Sequence, residues 1–300
     1  MPANAAKAAR ALLKNRTDKE AVAESKRNRP PPRMFPRVQN MIDRRHFLAL
    51  GALLSASAAK AQPLPEAALR AGIRPGGGEQ IAMLLYPGFT ALDFVGPYHF
   101  LSMPGATVHL VTNQSDLTPV RSDLGLAVQP TATFADCPAD VTVLFTPGGT
   151  VGTLAAAGDG ATLEFMRDRA SRASFVTSVC TGSLILGAAG LLEGKRATSH
   201  WSVVPELARF GAIPVRERVV RDGKLITGAG VSAGLDFGST LVAEMRGHAM
   251  AEAAVLMAEY DPHPPVRGGS IDTARPEIAN LLSQSLSGFV ADARRLGGGS

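Results

Sequence analysis

Four short, predominantly apolar runs recur through the middle of the chain: Ile81-Ala82-Met83-Leu84-Leu85, Val108 to Val111, Val141 to Phe145 and Phe175 to Val179. Runs with little polar alternation mark strands covered on both faces. Between them, apolar positions fall at helical spacing over Ala91 to Met103, Ala161 to Ala173, Thr181 to Leu192 and Trp201 to Phe210. That alternation predicts an α/β fold, a parallel sheet with helices on both faces. Arg216 to Arg221, then Asp222-Gly223, then Lys224 to Thr227 predicts a small antiparallel hairpin added at an edge, with Asp-Gly as its turn. Ser232 to Arg246 reads as a helix capped by Ser232, and Ala249 to Tyr260 continues the pattern after a break at Gly247. The signals form one series over 79–260, so a single domain is expected, with a linker at 62–78 that ends in Gly76-Gly77-Gly78 and a Pro-rich tail at 261–300 carrying one short helix near Pro276 to Ser285.

Charge changes the picture at the N-terminus. Residues 1–61 hold 13 of the 31 Lys and Arg and 4 of the 26 Asp and Glu, a net +9, which leaves the rest of the chain at −4. The body therefore has no basic stripe for a phosphate backbone, and no nucleic-acid partner is expected. Within the leader, Arg44-Arg45-His46-Phe47-Leu48 precedes a short apolar stretch from Ala49 to Ala59 and the small-residue site Ala59-Lys60-Ala61. The stretch is too short to span a bilayer, and the whole of 41–61 resembles a twin-arginine export signal. A periplasmic location with no membrane attachment after cleavage follows as an expectation. Met41 stands directly before the motif, so 1–40 reads as a disordered upstream extension. Oxidising surroundings raise the question of a Cys137–Cys180 disulfide. If their strands are parallel neighbours, the two thiols lie at opposite ends, roughly 15–20 Å apart, and Cys137 is expected to be an inert buried thiol.

Ligands of an open parallel sheet sit at the carboxyl ends of its strands, and four segments there carry distinctive residues. Phe175 to Val179 passes through Cys180-Thr181-Gly182 directly into a helix. A thiol at such a junction lies at a helix N-terminus, where free N–H groups favour the thiolate and lower its pKa. Thr146-Pro147-Gly148-Gly149-Thr150 follows Val141 to Phe145; the Gly148 and Gly149 amides, with that of Thr181, fit an oxyanion-hole-like pocket, or only an ordinary turn. In Thr90-Ala91-Leu92-Asp93 the spacing is that of a capping box, and Asp93 is either a helix cap or a buried proton carrier at the rim that bears Cys180. Pro97 is expected to break that helix near Asp93. His200 lies just past a short strand, placed to orient the thiol or to serve structure alone. No metal-ligand spacing occurs among the six histidines and two cysteines.

Taken together, Tyr86-Pro87-Gly88-Phe89-Thr90-Ala91-Leu92-Asp93-Phe94-Val95-Gly96-Pro97, Val179-Cys180-Thr181-Gly182-Ser183, Ala197-Thr198-Ser199-His200-Trp201 and the run from Thr227 to Phe237 resemble the isonitrile hydratase branch of the ThiJ/PfpI superfamily. The resemblance implies a flavodoxin-like sheet, Cys180 as nucleophile, Asp93 as acid/base group, Thr181 as its supporting neighbour, no cofactor, a small-molecule substrate and a homodimer. In the implied reaction, a hydro-lyase converts an isonitrile to an N-substituted formamide. The thiolate attacks the terminal carbon, Asp93 protonates the developing imine, water enters at that carbon and the thiol leaves. Thr181 stands where protease-like members often place His, which disfavours peptidase chemistry. Two other readings remain open on the same fold: a cysteine enzyme acting on reactive carbonyls, and a periplasmic ligand-binding or redox-sensing protein.

Overall fold

The computed structural model describes residues 66–74 and 76–298; the segments 1–40 and 41–61 lie outside them. The elements run α1 (Glu66–Arg70), β1 (Gln80–Leu85), α2 (Ala91–Leu101), β2 (Thr107–Thr112), β3 (Val120–Arg121), β4 (Ala127–Val128), β5 (Ala132–Thr133), β6 (Val143–Thr146), α3 (Val151–Gly158) and α4 (Gly160–Arg172). The series continues with β7 (Phe175–Val179), α5 (Gly182–Ala188), β8 (Arg196–Ala197), a 3-10 helix (Val204–Phe210), β9 (Ile213–Pro214), β10 (Val219–Asp222), β11 (Leu225–Gly228), α6 (Ala233–Arg246), α7 (His248–Met257), α8 (Pro276–Ser285) and α9 (Ser287–Leu296). Seven strands form the main sheet in the order β10-β11-β7-β6-β1-β2-β5. Every pairing in it is parallel except that of β10 with β11. Two helix layers flank this sheet, one of α2 with α6 and α7, the other of α3, α4 and α5.

The apolar runs occupy the centre of the sheet because nothing there needs water. Ile81 to Leu85 and Val143 to Phe145 are almost entirely buried. Phe145 of β6 meets Phe237 of α6 with ring centroids 5.7 Å apart. The register aligns Phe145 with Met83 on one side and Thr177 on the other, so β1, β6 and β7 end near one level. Their following loops therefore face each other across the same rim.

Several details differ from the sequence expectation. Pro97 sits inside α2 without ending it. Its ring removes one bond to the carbonyl four residues back, and burial of Phe94, Phe100 and Leu101 on the same helix carries the element through. Ser232 makes no side-chain cap, the hairpin turns at Gly223 and Lys224, and the helix after Cys180 stops at Ala188. Gly190, at φ +76°, then takes the chain in a left-handed turn. Residues 204–210 coil as a 3-10 helix after Pro205 at its start. Part of the expected linker is the short helix α1. No helix among the described residues is long and apolar enough to cross a membrane.

The tail departs most from expectation. α9, absent from the sequence reading, buries Ala293 completely. Its Arg294 donates to both carboxylate oxygens of Glu206, at 3.1 and 2.8 Å. Arg209 reaches the same carboxylate at 3.2 Å. Glu206 is nearly buried and its carboxyl is held below the ordinary range, by the Arg294 hydrogen bond above all, against the opposing effect of burial. Replacing Glu206 by Gln is expected to release α9 and lower stability by about 1–2 kcal/mol. Hydrogen exchange should show faster opening confined to residues 287–296. In the wild type, the depressed pKa makes this contribution full above the normal glutamate value and lost as pH falls below that value through the lower folded pKa.

Candidate active site

Cys180 directly follows β7, with Thr181 alone between it and the first turn of α5, and it adopts a left-handed backbone, φ +58°. Its amide is anchored by the carbonyls of Gly228 and Ala229, at 3.0 and 2.8 Å. The turn lifts the thiol to the sheet rim yet leaves the residue only 4% exposed. Gly182 makes the sharp entry into the helix possible, since a Cβ there would stand 2.5 Å from the Thr146 carbonyl oxygen.

Asp93, from the first turn of α2, is fully buried beside Cys180. It is not a cap: Thr90 makes no capping bond, and its hydroxyl instead donates to Asp123 Oδ2 at 2.7 Å. Asp93 Oδ2 accepts the Gly148 N–H at 3.1 Å. Its Oδ1 is buried with no group in hydrogen-bond geometry among the described residues. Burial pushes the Asp93 carboxyl up from 3.8 to about 7, and the neighbouring thiol and the Gly148 amide offset this only in part. An orphaned oxygen on a carboxyl that exchanges its proton near neutrality is a group arranged to transfer it.

Cys180 itself departs from expectation, because burial pushes the thiol well above its usual value and the adjacent Asp93 carboxylate adds to this. The N–H groups of Val231 and Thr181 pull the other way by hydrogen bonding to the sulfur, without reversing the balance. The short helix α5 does not make the resting thiol a thiolate. Asp93 and Cys180 instead compete for protons as one buried pair.

The two glycines also serve differently from the expected oxyanion pocket. Gly148 gives its amide to Asp93, and Gly149 donates to Thr181 Oγ1 at 2.9 Å, so neither is aimed at a substrate. A side chain at Gly148 would put a Cβ 2.6 Å from the Thr181 nitrogen and 2.7 Å from Asp93 Oδ2. The glycine is there so that the β6 loop can lie between the carboxyl and the elbow. Thr181 locks that loop, with its hydroxyl donating to the Gly149 carbonyl and touching Thr153 Oγ1 at 3.0 Å. Tyr86 extends the lock by donating to the Pro147 carbonyl at 2.8 Å.

His200 is not joined to the thiol. Its Nδ1 pairs with Ser202 Oγ at 2.8 Å, and burial lowers its pKa, so the ring is neutral in this setting. Its neighbour Ser199 reaches the elbow instead, donating to the Cys180 carbonyl at 2.9 Å, with Ser183 beside it. Ser183, Ser199 and Val231 all lie in the sequence segments that carry the family resemblance, but only the fold shows their purpose. Cys137 is buried and free near Arg169, its thiol also raised by burial. Among the described residues no group of three His, Cys, Asp or Glu is placed to hold a metal ion.

Comparison with known proteins agrees with this geometry. The profile of the DJ-1/PfpI family matches residues 79–244. An isonitrile hydratase from Pseudomonas putida is 53% identical over 203 residues, 67% of this chain and 87% of that protein. The crystal structure of a ThiJ/PfpI family protein from Pseudomonas syringae superposes with a TM-score of 0.76 and 52% identity, covering 80% of this chain and 98% of the other. A DJ-1 superfamily protein from Salmonella typhimurium shares the fold at 24% identity and a TM-score of 0.57, over 61% of this chain and all of its own. A cysteine elbow, a buried carboxyl beside it and a seven-stranded sheet, on a chain matched by the family profile over more than half its length, place this protein in the DJ-1/PfpI family.

Proposed function

We propose that the protein is a cysteine-dependent hydro-lyase that adds water to an isonitrile, giving the N-substituted formamide. The Cys180–Asp93 pair carries this reading. Addition to an isonitrile carbon needs a nucleophile and then a proton, and it builds no oxyanion in the first step. The site supplies a thiol and a buried carboxyl that exchanges its proton near pH 7, while the Gly148 and Gly149 amides that carbonyl chemistry would use are both engaged by side chains. The slim terminal carbon of an isonitrile also suits a sulfur that is almost fully covered. The similarity to a named isonitrile hydratase points to the same substrate class.

The steps balance without a co-reactant other than water. Loss of one proton from the pair leaves a form in which Cys180 attacks as thiolate while Asp93 holds the remaining proton. The S–C bond forms as that proton passes to the adduct, which becomes an enzyme-bound thioimidate. Asp93, now ionised, takes a proton from water as the water oxygen bonds to the same carbon, and passes that proton to the nitrogen. The C–S bond then breaks, the sulfur leaves as thiolate, the hydroxyl proton returns to Asp93, and the formamide departs. The Gly148 amide keeps the carboxyl aimed at the thiol throughout.

The same reading includes a homodimer. Leu92, Val95 and Tyr98 are exposed at helical spacing along α2, the helix that carries Asp93, and an apolar stripe of this kind suits a self-complementary contact. Light scattering of the purified chain should give twice the monomer mass, and Val95→Lys should reduce it to one; a monomeric wild type would overturn this part.

Turnover of a simple alkyl isonitrile, followed as formamide, should fall by at least about a hundredfold in Cys180→Ala and in Asp93→Asn. In the wild type kcat/KM should rise with pH through a midpoint near 7, as the doubly protonated pair loses its first proton. No formamide from the wild type would sink the proposal. Stability should move the opposite way. A carboxyl whose folded pKa is raised from 3.8 to about 7 favours folding most below its unfolded value, and that advantage is lost as pH rises through 7. Asp93→Asn should therefore gain on the wild type by roughly 2–3 kcal/mol between pH 5 and pH 8, measured by urea unfolding.

A further inference from the structure

The Cys180 carbonyl oxygen is buried at the elbow, and no backbone N–H outside the helix and strand ladders reaches it. Two side-chain hydroxyls do so, from separate elements. Ser199, in the loop after β8, donates at 2.9 Å, and Ser183, in the first turn of α5, lies 3.3 Å from the same oxygen and 2.7 Å from Ser199 Oγ. A serine has one hydrogen to give. Ser199 uses its own on the carbonyl, and Ser183 gives its hydrogen by the shorter contact, so the two form a chain from Ser183 to Ser199 to the carbonyl. Both side chains are fully enclosed, at 0% and 1% exposure, so water cannot take over either bond.

The position of that carbonyl gives the chain its purpose. The Cys180 C=O and the Thr181 N–H are two ends of one planar peptide unit. Donating hydrogen bonds to the oxygen draws electron density through the amide and strengthens its N–H as a donor, and bonds in series reinforce each other. The Thr181 N–H is one of the two amides at the Cys180 sulfur. Left-handed backbone at a non-glycine residue is also strained, and the same two bonds help hold this peptide plane at that conformation.

We propose that Ser199 and Ser183 are positioning residues for the nucleophile: acting in series on the Cys180 carbonyl, they fix the elbow peptide and polarise it so that its Thr181 N–H stabilises the thiolate. Neither serine is at the reacting atoms. The titratable group that acts on the sulfur is Asp93 from α2; Tyr86, just after β1, is itself raised by burial and by the nearby charges, and His200, adjacent to Ser199, is shifted by burial alone. Exchanging either serine for alanine leaves all of these in place.

The proposal depends on Cys180 being nucleophilic and not on which substrate it attacks, so its test reads the thiol directly. Iodoacetamide labelling of Cys180 in the full chain, quantified by peptide mass so that Cys137 is counted separately, would be followed from pH 6 to 10. Ser199→Ala should label about tenfold more slowly at pH 7, with its midpoint moved to higher pH. Ser183→Ala should show a smaller shift in the same direction, and Ser199→Thr, which retains the hydroxyl, should return toward the wild-type profile. With isonitrile as substrate, kcat should fall in step with labelling while KM holds. Wild-type profiles in both alanine variants would overturn the proposal, as would a uniform loss of rate with an unmoved midpoint, the mark of a merely structural role. Ser183→Ala touches the carbonyl only through Ser199, so it decides the matter if Ser199→Ala folds poorly. Absence of isonitrile turnover in a wild type whose Cys180 labels normally would count against the hydratase reading and leave this one intact.

Discussion

A cysteine in left-handed backbone is held against a local preference of about 1–2 kcal/mol, and it stays there only because its surroundings leave it no alternative. Its amide is fastened to the carbonyls of Gly228, the last residue of β11, and Ala229 just after it, and its own carbonyl to the buried Ser199 hydroxyl, backed by Ser183. Gly182 opens the space for the turn by letting the helix start against the Thr146 and Pro147 carbonyls. The central strands, the glycine loop and the segment after β8 all converge on this one residue. Their arrangement makes sense as a way of keeping a sulfur at the rim of the sheet in a single orientation.

Burial then sets the chemistry. Moving a thiol and a carboxyl together out of water raises both pKa values, and the Asp93 carboxylate raises that of the thiol further. The amides of Val231 and Thr181 on the sulfur and of Gly148 on the carboxyl oppose this without overcoming it. The site therefore keeps its proton at rest and gives it up near neutrality. A helix N-terminus alone suggests an already ionised cysteine, but the effect of a dipole on a short, seven-residue helix is smaller than the desolvation of a nearly covered sulfur. In the proposed reaction, reactivity comes from a proton shared between two groups, and the same carboxyl costs the fold stability as pH rises through 7.

The segment that carries Ser199 and His200 is tied down from behind. It leads into the 3-10 helix with Glu206, and Glu206 holds Arg294 from the last helix. The C-terminal segment is thus part of the scaffold that supports the elbow. Its anchor is a nearly buried carboxylate with two guanidinium partners, whose charge-assisted hydrogen bonds replace the water it has lost while the arginines stay half exposed.

Much of this was legible from the chain alone. The apolar runs specify the central strands because a strand covered on both faces has no polar positions to spare, and the abrupt passage from Val179 through Cys180 into a helix marks the elbow. Asp93, Gly148, Thr181 and His200 could be named from their places after those strands. Their roles could not, because each depends on which long-range partner arrives. Asp93 is a buried protonatable group and not a cap because the Gly148 amide, 55 residues away, takes one oxygen and no described residue takes the other. Both glycine amides turn out to be engaged, and His200 pairs with Ser202 while its neighbour Ser199 reaches the elbow. The helix over Ser287–Leu296 packs Phe289, Val290, Ala293 and Leu296 on the core and sets Arg294 on a distant glutamate, a docking surface that exists only in the folded chain. Sequence determined the strands, the elbow and the identity of the reactive groups, since those follow from local pattern and residue type. Tertiary structure decided their protonation and their partners, since burial and hydrogen bonding at a site built from five separate segments exist only once the chain has closed around it.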